Sequence, residues 1–484
     1  MKKFKLFVEN FLIYGLGGVV SKIVPLIMLP IVTRLMPNSD YYGLSDMSNT
    51  IMSFASAFAI MGMYDAMYRM FFEKDEELFQ RRVCSTTAVF SFGTSLAVFI
   101  LMLFCRKWIA GFFFDNEKYA YLVYITAIAT LVGATNTIIS APTRMQNKRG
   151  VFLLMNTLGP VLSYSVSIPL LLKGYYVIAL PLAGVISNLT LEVTFGVMNR
   201  KWFSPKLFDK KLLKTLLQIG VPLLPNFLIY WVFNSSDRVM ITRLIGIGQS
   251  GIYSVGAKLG MASQLIYMAF AGGWQFFAFS TMKETDQVQN NSRIFEYLGC
   301  ISFVATIFIC AWAEPIYRLL FESEYHGAFI VSPYLFLAPL LQMLFQVACN
   351  QFLVIKKTWP NMMILSTGAL ANIAFNLLMI PRLGIEGAAI ATLSGYVISD
   401  IVCMAVLMRM KLMVLSGKFV ATAAVFFGAF LGWRFLLLHH TWTATLLALV
   451  VACAIACIYR RDLRELWMIV KTNVRAKGAQ ENGS

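Results

Sequence analysis

The chain has 484 residues, of which 58% are hydrophobic and 13% charged, with a formal net charge of +17 and a mean hydropathy of +0.69. The charged share is about half that of an ordinary soluble domain. These values exclude a soluble globular enzyme, a disordered protein and a nucleic-acid-binding basic domain, and they make the placement of charge relative to a membrane the first question.

A bilayer core of about 30 Å needs roughly 20 apolar residues per helix. Apolar runs between charged or Gly/Pro-rich breaks predict an all-α membrane protein of about fourteen spans: 8–34, 41–72, 83–105, 119–142, 151–172, 175–198, 213–244, 251–280, 293–312, 328–354, 359–380, 385–410, 415–437 and 440–459. The start Met1-Lys2-Lys3-Phe4-Lys5 has the charge of a signal peptide, but the apolar run behind it is too long and carries no small-x-small cleavage site, which makes it a membrane helix. With this count, 28 of the 41 Lys and Arg fall on the side of the N-terminus, nine on the opposite side and four deep in spans. The inner cations include Arg200, Lys201, Lys206, Lys210, Lys211 and Lys214, and the tail from Arg460 to Lys477. The positive-inside rule then places both termini in the cytoplasm. All eight cysteines lie in or beside apolar runs without metal-ligand spacing and read as small buried hydrophobes.

An internal repeat is visible. Thr33-Arg34-Leu35 recurs as Thr242-Arg243-Leu244 at an offset of 209; Ser45 meets Ser254, Lys148 meets Lys357 and Lys173 meets Arg382 at the same offset. Phe114-Asp115-Asn116-Glu117 is echoed by Phe321-Glu322-Ser323-Glu324. A duplicated six-helix unit keeps the same orientation in both copies, so the expected organisation is two parallel lobes, 1–200 and 201–412, followed by two extra helices at 413–460 and a basic tail at 461–484. Two such lobes suggest a rocking transporter with its substrate site between them.

Charge inside a membrane is expensive, so each case is a functional candidate. Lys22 lies near the centre of the first span, ahead of Pro25 and Pro30; it is either a cationic contact for a phosphate or a partner for a carboxylate on the second span. The second span carries Asp46, Asn49 and Ser53 toward one end, and Asp65 with Arg69 toward the other, where the i,i+4 spacing predicts an intrahelical pair at the inner mouth. The seventh span holds Asn226 and, near its outer end, Asp237 and Arg238; the eighth holds Lys258 and Gln264. Lys258 either pairs with Asp237 across the hairpin or faces the cavity as an anion contact. Glu192 and Asp400 are candidates for a coupling proton, or helix-end residues solvated at the inner side. Asn350, Gln351, Asn372 and Asn376 either line the cavity or make interhelical hydrogen bonds. The three histidines, His326, His439 and His440, fall at the outer surface, no catalytic or metal motif appears, and no loop exceeds about 16 residues, so an enzyme is not expected.

Several stretches carry a family resemblance. They are Tyr68-Arg69-Met70-Phe71-Phe72-Glu73 with the acidic run behind it, Ser236-Asp237-Arg238-Val239-Met240 through Gly251-Ile252-Tyr253-Ser254, Trp274-Gln275-Phe276-Phe277, and Gly384-Ile385-Glu386-Gly387-Ala388-Ala389-Ile390-Ala391-Thr392. On these, residues 8 to about 410 resemble a polysaccharide flippase of the Wzx type, in the superfamily that includes the MATE drug exporters and the lipid II flippase MurJ. The resemblance implies a MATE/MurJ-like fold, a bacterial inner-membrane location, and movement of an undecaprenyl-diphosphate-linked oligosaccharide between leaflets by alternating access, often with proton or sodium coupling and no other cofactor. Implied partners are the lipid-linked oligosaccharide, membrane lipids, a polysaccharide polymerase and glycosyltransferases, with no nucleic acid. A diphosphate needs cations, for which Lys22, Arg69 and Lys258 are the candidates, in a cavity expected to be net positive. A peptidoglycan-precursor flippase and a drug exporter share the fold. The first span carries Lys22 rather than the carboxylate common in the exporters, which lowers that reading, and a glycan polymerase or acyltransferase would need a long outer loop that is missing.

Overall fold

The computed structural model describes residues 23–464 apart from 268–269, 271–273, 275–285, 356 and 358, and the side chains of 149 and 152 are likewise outside the description. The described chain is helical from end to end, the one economical way to satisfy backbone polar groups in hydrocarbon without closing a barrel. Ten of these helices are long and apolar enough to cross a membrane, or eleven if the bent pair Ser39–Ile60 and Met63–Phe71 is one span. The expected count of fourteen is therefore not reproduced as a count. Of the first expected span only Ile23–Arg34 is described, the eighth is described mainly as Ile247–Gly260, and Trp359–Arg409 is continuous over 51 residues.

That long helix is two expected spans joined by a turn. Gly384 has φ +60°, a conformation a Cβ would strain. The two arms pack so closely that a Cβ on Gly368 would lie 2.4 Å from the carbonyl oxygen of Gly395. Other breaks follow equally local causes. Met61 and Gly62 are both left-handed and bend the second span by 47°. Gly62 sits there because a Cβ would come within 2.3 Å of the Gly220 carbonyl oxygen. Leu172 and Ala179 are separated by Gly174 at φ +85°, which divides the fifth and sixth spans. Lys210–Ile245 starts on the side chain of Asp209, which accepts from the amides of Lys211 at 2.8 Å and Leu212 at 3.2 Å. It then loosens into a π-turn over Val232–Ser236, immediately before Asp237.

The helices pack as an N-terminal bundle up to Met198 and a C-terminal bundle from Lys210, which meet mainly along Ser39–Ile60 against Ile247–Gly260. The end bearing Arg200 to Lys214 is called here the basic face, and the end bearing Asn38, Gly246 and Gly384 the turn face. Gly417–Leu436 and Thr441–Ile458 dock on Gln287–Leu320 through a ladder in which Phe303 stacks on Phe426 at 4.5 Å. Arg434 pairs with Glu386, and His439 Nδ1 lies 3.1 Å from Glu314. Six of the cysteines are buried or half-buried as expected, whereas Cys453 and Cys457 point outward from the last helix.

Candidate functional site

Where the two bundles meet near the turn face, charge is concentrated in the interior. Asp46, Asp237 and Arg238 are 6%, 3% and 6% exposed. Arg238 Nε lies 2.8 Å from Asp46 Oδ2 and so crosses the bundle interface. Ser254 Oγ donates to the same Asp46 oxygen at 2.6 Å. The Arg238 guanidinium also donates to the Asn234 carbonyl, which the π-turn leaves within reach, and its Nη1 is 3.7 Å from Asp237. Asp237 in turn accepts from the Tyr253 hydroxyl and, at 3.4 Å, from Thr392. Behind it, Asn372 donates to Thr392 at 3.0 Å and Asn376 donates to Asn372 at 3.2 Å. Such charges are retained in a low-dielectric interior only when paired and hydrogen-bonded, and these are.

Of the two readings of Lys258, pairing with Asp237 is corrected by this geometry and facing a cavity agrees with it. The π-turn presents Asp237 to Tyr253 and Thr392 within its own bundle, while Lys258 is exposed to a pocket and forms no ion pair among the described residues. That pocket, about 190 Å³, is lined by Pro25, Tyr42, Asp46, Asn49, Tyr164 and Lys258 among others, so helices of both bundles enclose it. It shares Ser163 and Gly184 with a larger one of about 410 Å³ inside the N-terminal bundle. The described lining of the joined cavity holds one anion and one cation, so the net positive charge expected there is not found among the described residues. Because Asp46 is already engaged by Arg238, the Lys258 ammonium is the charge offered to the cavity. Lys22 and Gln275 lie outside the described residues.

The remaining candidates are dispersed. Arg69 and Asp65 are exposed at the basic-face end of the second span and form no ion pair with each other among the described residues; Arg69 is roughly 30 Å along the helix from Asp46, too far to join a site at Lys258. Asn226 is half-buried beyond the joined cavity. Gln264 borders a small crevice with Asp237 and Arg238. Gln351 is fully buried and accepts from Gln287 Nε2 at 2.9 Å, so it belongs to helix packing rather than to the cavity; Asn350 beside it is half-buried. Glu192 lines a separate pocket with Arg200. Both Asp400 carboxylate oxygens are buried without a hydrogen-bond partner among the described residues.

The polar lining of the larger pocket comes from residues that do not stand out in the sequence. Asn136, Asn156 and Asn188 stand on three successive helices, each the single amide side chain of its helix. Recurrence of one lone amide per helix was the only signal available. Among the described residues no cluster of His, Cys, Asp and Glu could hold a metal.

This arrangement defines a multi-pass membrane protein with a transporter fold: two helical bundles, a cavity between and within them, and a charge cluster that ties them on one face. The model of the family of polysaccharide biosynthesis proteins matches residues 31–330, more than half of the chain, and the chain belongs to that family. It is similar to an uncharacterized membrane protein of Methanocaldococcus jannaschii, 25% identical over 217 residues; the match spans 43% of each chain, so less than half the length of that relative is covered. Among solved structures, the lipid II flippase MurJ in an inward closed conformation superposes with a TM-score of 0.71 at 16% identity, covering 93% of this chain and 99% of that one. An outward-facing multidrug MATE transporter gives a TM-score of 0.60 at 14% identity, covering 84% and 95%. The fold is thus that of MurJ and the MATE transporters.

Proposed function

We propose that this protein is a non-enzymatic flippase that carries an undecaprenyl-diphosphate-linked oligosaccharide across the bacterial cytoplasmic membrane. Alternating access of lobes 1–200 and 201–412 moves the headgroup, and the basic face is cytoplasmic, as its share of Lys and Arg supports. The observation that carries the reading is the cavity enclosed by both bundles, with Lys258, which forms no ion pair among the described residues, beside the Arg238-engaged Asp46 at one end and uncharged amides at the other, in a chain of a polysaccharide biosynthesis family. A lipid diphosphate calls for a cation and its glycan for hydrogen-bonding groups. The polyprenyl tail stays in the bilayer throughout.

Coupling to a proton or sodium ion would act through Asp237 and the oxygens of Thr392, Asn372 and Asn376, where Asn376 Oδ1 has no hydrogen-bond partner, or through Asp400. Glycosyltransferases would supply the substrate and a polymerase consume it. The test is surface glycan export in cells carrying Lys258→Ala or Lys22→Ala. Loss of export by a normally inserted Lys258→Ala protein is expected, and unchanged export in both variants overturns the cationic headgroup site. A peptidoglycan-precursor flippase is the second reading, since MurJ gives a higher TM-score than the MATE structure. It would be shown by rescue of cells depleted of their own lipid II flippase.

A further inference from the structure

Amides inside hydrocarbon normally turn into helix contacts, as Asn372 and Asn376 do in the C-terminal bundle at 3.2 Å from each other. In the N-terminal bundle three of them also border a cavity. Asn136 on Ala120–Met145, Asn156 on Arg149–Leu172 and Asn188 on Ala179–Met198 border one pocket of about 410 Å³, together with the hydroxyls of Ser140 and Ser163. Asn136 Oδ1 is buried there and meets no hydrogen-bond partner. A buried acceptor left unsatisfied costs about 1–3 kcal/mol, and because this oxygen is closed to water, a donor in the pocket reaches it only when the side chain turns outward.

The chemistry of the lining selects the ligand class. It contains no ionisable side chain, so it offers no charge to a phosphate or an ammonium. It presents donors and acceptors from three directions, which suits a molecule carrying hydroxyl and amide groups around its rim. Gly159, Pro160 and Gly184 keep one wall free of long side chains, and Met155 and Phe195 supply apolar surface for ring C–H groups. Its volume falls in the roughly 300–1,000 Å³ range of small-ligand sites. Ser163 and Gly184 also border the pocket of Lys258, so a ligand can extend from one into the other.

We infer that this amide cup in the N-terminal bundle is the glycan subsite, which takes sugar residues while the diphosphate faces Lys258. The inference rests on the flippase reading above and adds where the sugar goes. Selection among glycans then resides in three residues of one bundle, and retention of the lipid headgroup in the other.

The experiment measures binding of two probes to the purified full-length protein in nanodiscs: undecaprenyl diphosphate, and undecaprenyl-diphosphate N-acetylglucosamine. For Asn156→Leu and Asn136→Leu the expected result is at least a ten-fold weaker affinity for the glycosylated probe with the sugar-free probe unchanged. Lys258→Ala should weaken both. Ser140→Ala and Asn188→Ala, smaller changes on the flanking helices, guard against misfolding and should give the same selective loss to a lesser degree. Equal loss of both probes in the amide variants, or no loss of either, overturns the subsite while leaving the flippase reading standing. Wild-type protein that binds neither probe overturns that reading and the subsite with it.

Discussion

Arg34 and Arg243 each reach across the interface between the bundles and donate to a backbone carbonyl, and the two contacts are copies of one another. Arg34 Nη2 donates to the Leu320 oxygen at 3.1 Å, and Arg243 Nη1 to the Gly111 oxygen at 2.9 Å. The offset from Arg34 to Arg243 is 209 residues, and so is that from Gly111 to Leu320. Arg243 adds an ion pair with Asp115 at 2.7 Å, while on the other side Glu324 accepts from the amide and hydroxyl of Ser39 at 2.9 and 2.7 Å. The turn face is therefore closed by two straps of the same design.

Removing both arginines should loosen that face. Each exposed contact contributes about 0.5–1.5 kcal/mol, and two such distant sites add. Arg34→Ala with Arg243→Ala should shift the balance toward an open turn face by about five-fold or more. The readout is labelling of Asn49→Cys, which lines the cavity, by a membrane-impermeant thiol reagent. Labelling no faster than in the Asn49→Cys parent would show that the arginines do not fasten the face.

The buried cluster makes a stability prediction. Arg238→Ala leaves Asp46 and Asp237 without their cation in the interior, a loss of about 3–5 kcal/mol. Thermal unfolding in detergent should show a large drop for this variant and a partial recovery when Asp46→Asn is added. A drop below about 1 kcal/mol would mean that the carboxylates find other partners.

Close glycine packing makes a steric one. A Cβ on Gly251 would lie 2.2 Å from the Ser39 carbonyl oxygen, and one on Gly43 would lie 2.3 Å from that of Ile247. Gly251→Leu should hold the bundles apart at the turn face, raise labelling of Asn49→Cys and, for the flippase proposed above, abolish glycan export. Retained export would show that this contact is not made during the cycle.

Asp462, beyond the last helix, supplies a pH dependence. Partial burial pushes its carboxyl up, but hydrogen bonds from Lys418 Nζ at 3.0 Å and Tyr297 at 3.1 Å outweigh this and hold it below the ordinary carboxylate value. A carboxyl whose pKa is lowered on folding stabilises above the unfolded value near 3.9 and loses that contribution as pH falls through its folded value. A spin label at Leu463 should gain mobility as pH drops below about 4. Asp462→Asn should make it mobile at every pH, and a label with the same mobility in both proteins would remove Asp462 as the anchor.

The spans were legible because their breaks are written in residue types: Gly174 and Gly384 in left-handed turns, and Asp209 at a helix start. The site was less so. Asp46, Asp237, Arg238 and Lys258 stood out as charges in apolar runs, but hairpin proximity pointed to Lys258 as the partner of Asp237. A five-residue π-turn, which no residue pattern announces, turns Arg238 toward Asp46 in the other bundle instead. Gln351 looked like a cavity residue because its partner Gln287 is 64 positions away. The amide cup was hidden for the opposite reason, since Asn136, Asn156 and Asn188 converge only when three helices are packed.

The four described charges where the bundles meet near the turn face, Asp46, Asp237, Arg238 and Lys258, sum to zero. A rotation that carries them together moves no net charge through the membrane field, which acts at about 2.3 kcal/mol per elementary charge per 100 mV. For the flippase proposed above, the unloaded cycle would then be electrically silent as far as these four are concerned, and the membrane potential would act on the cargo and on any ion that travels with it.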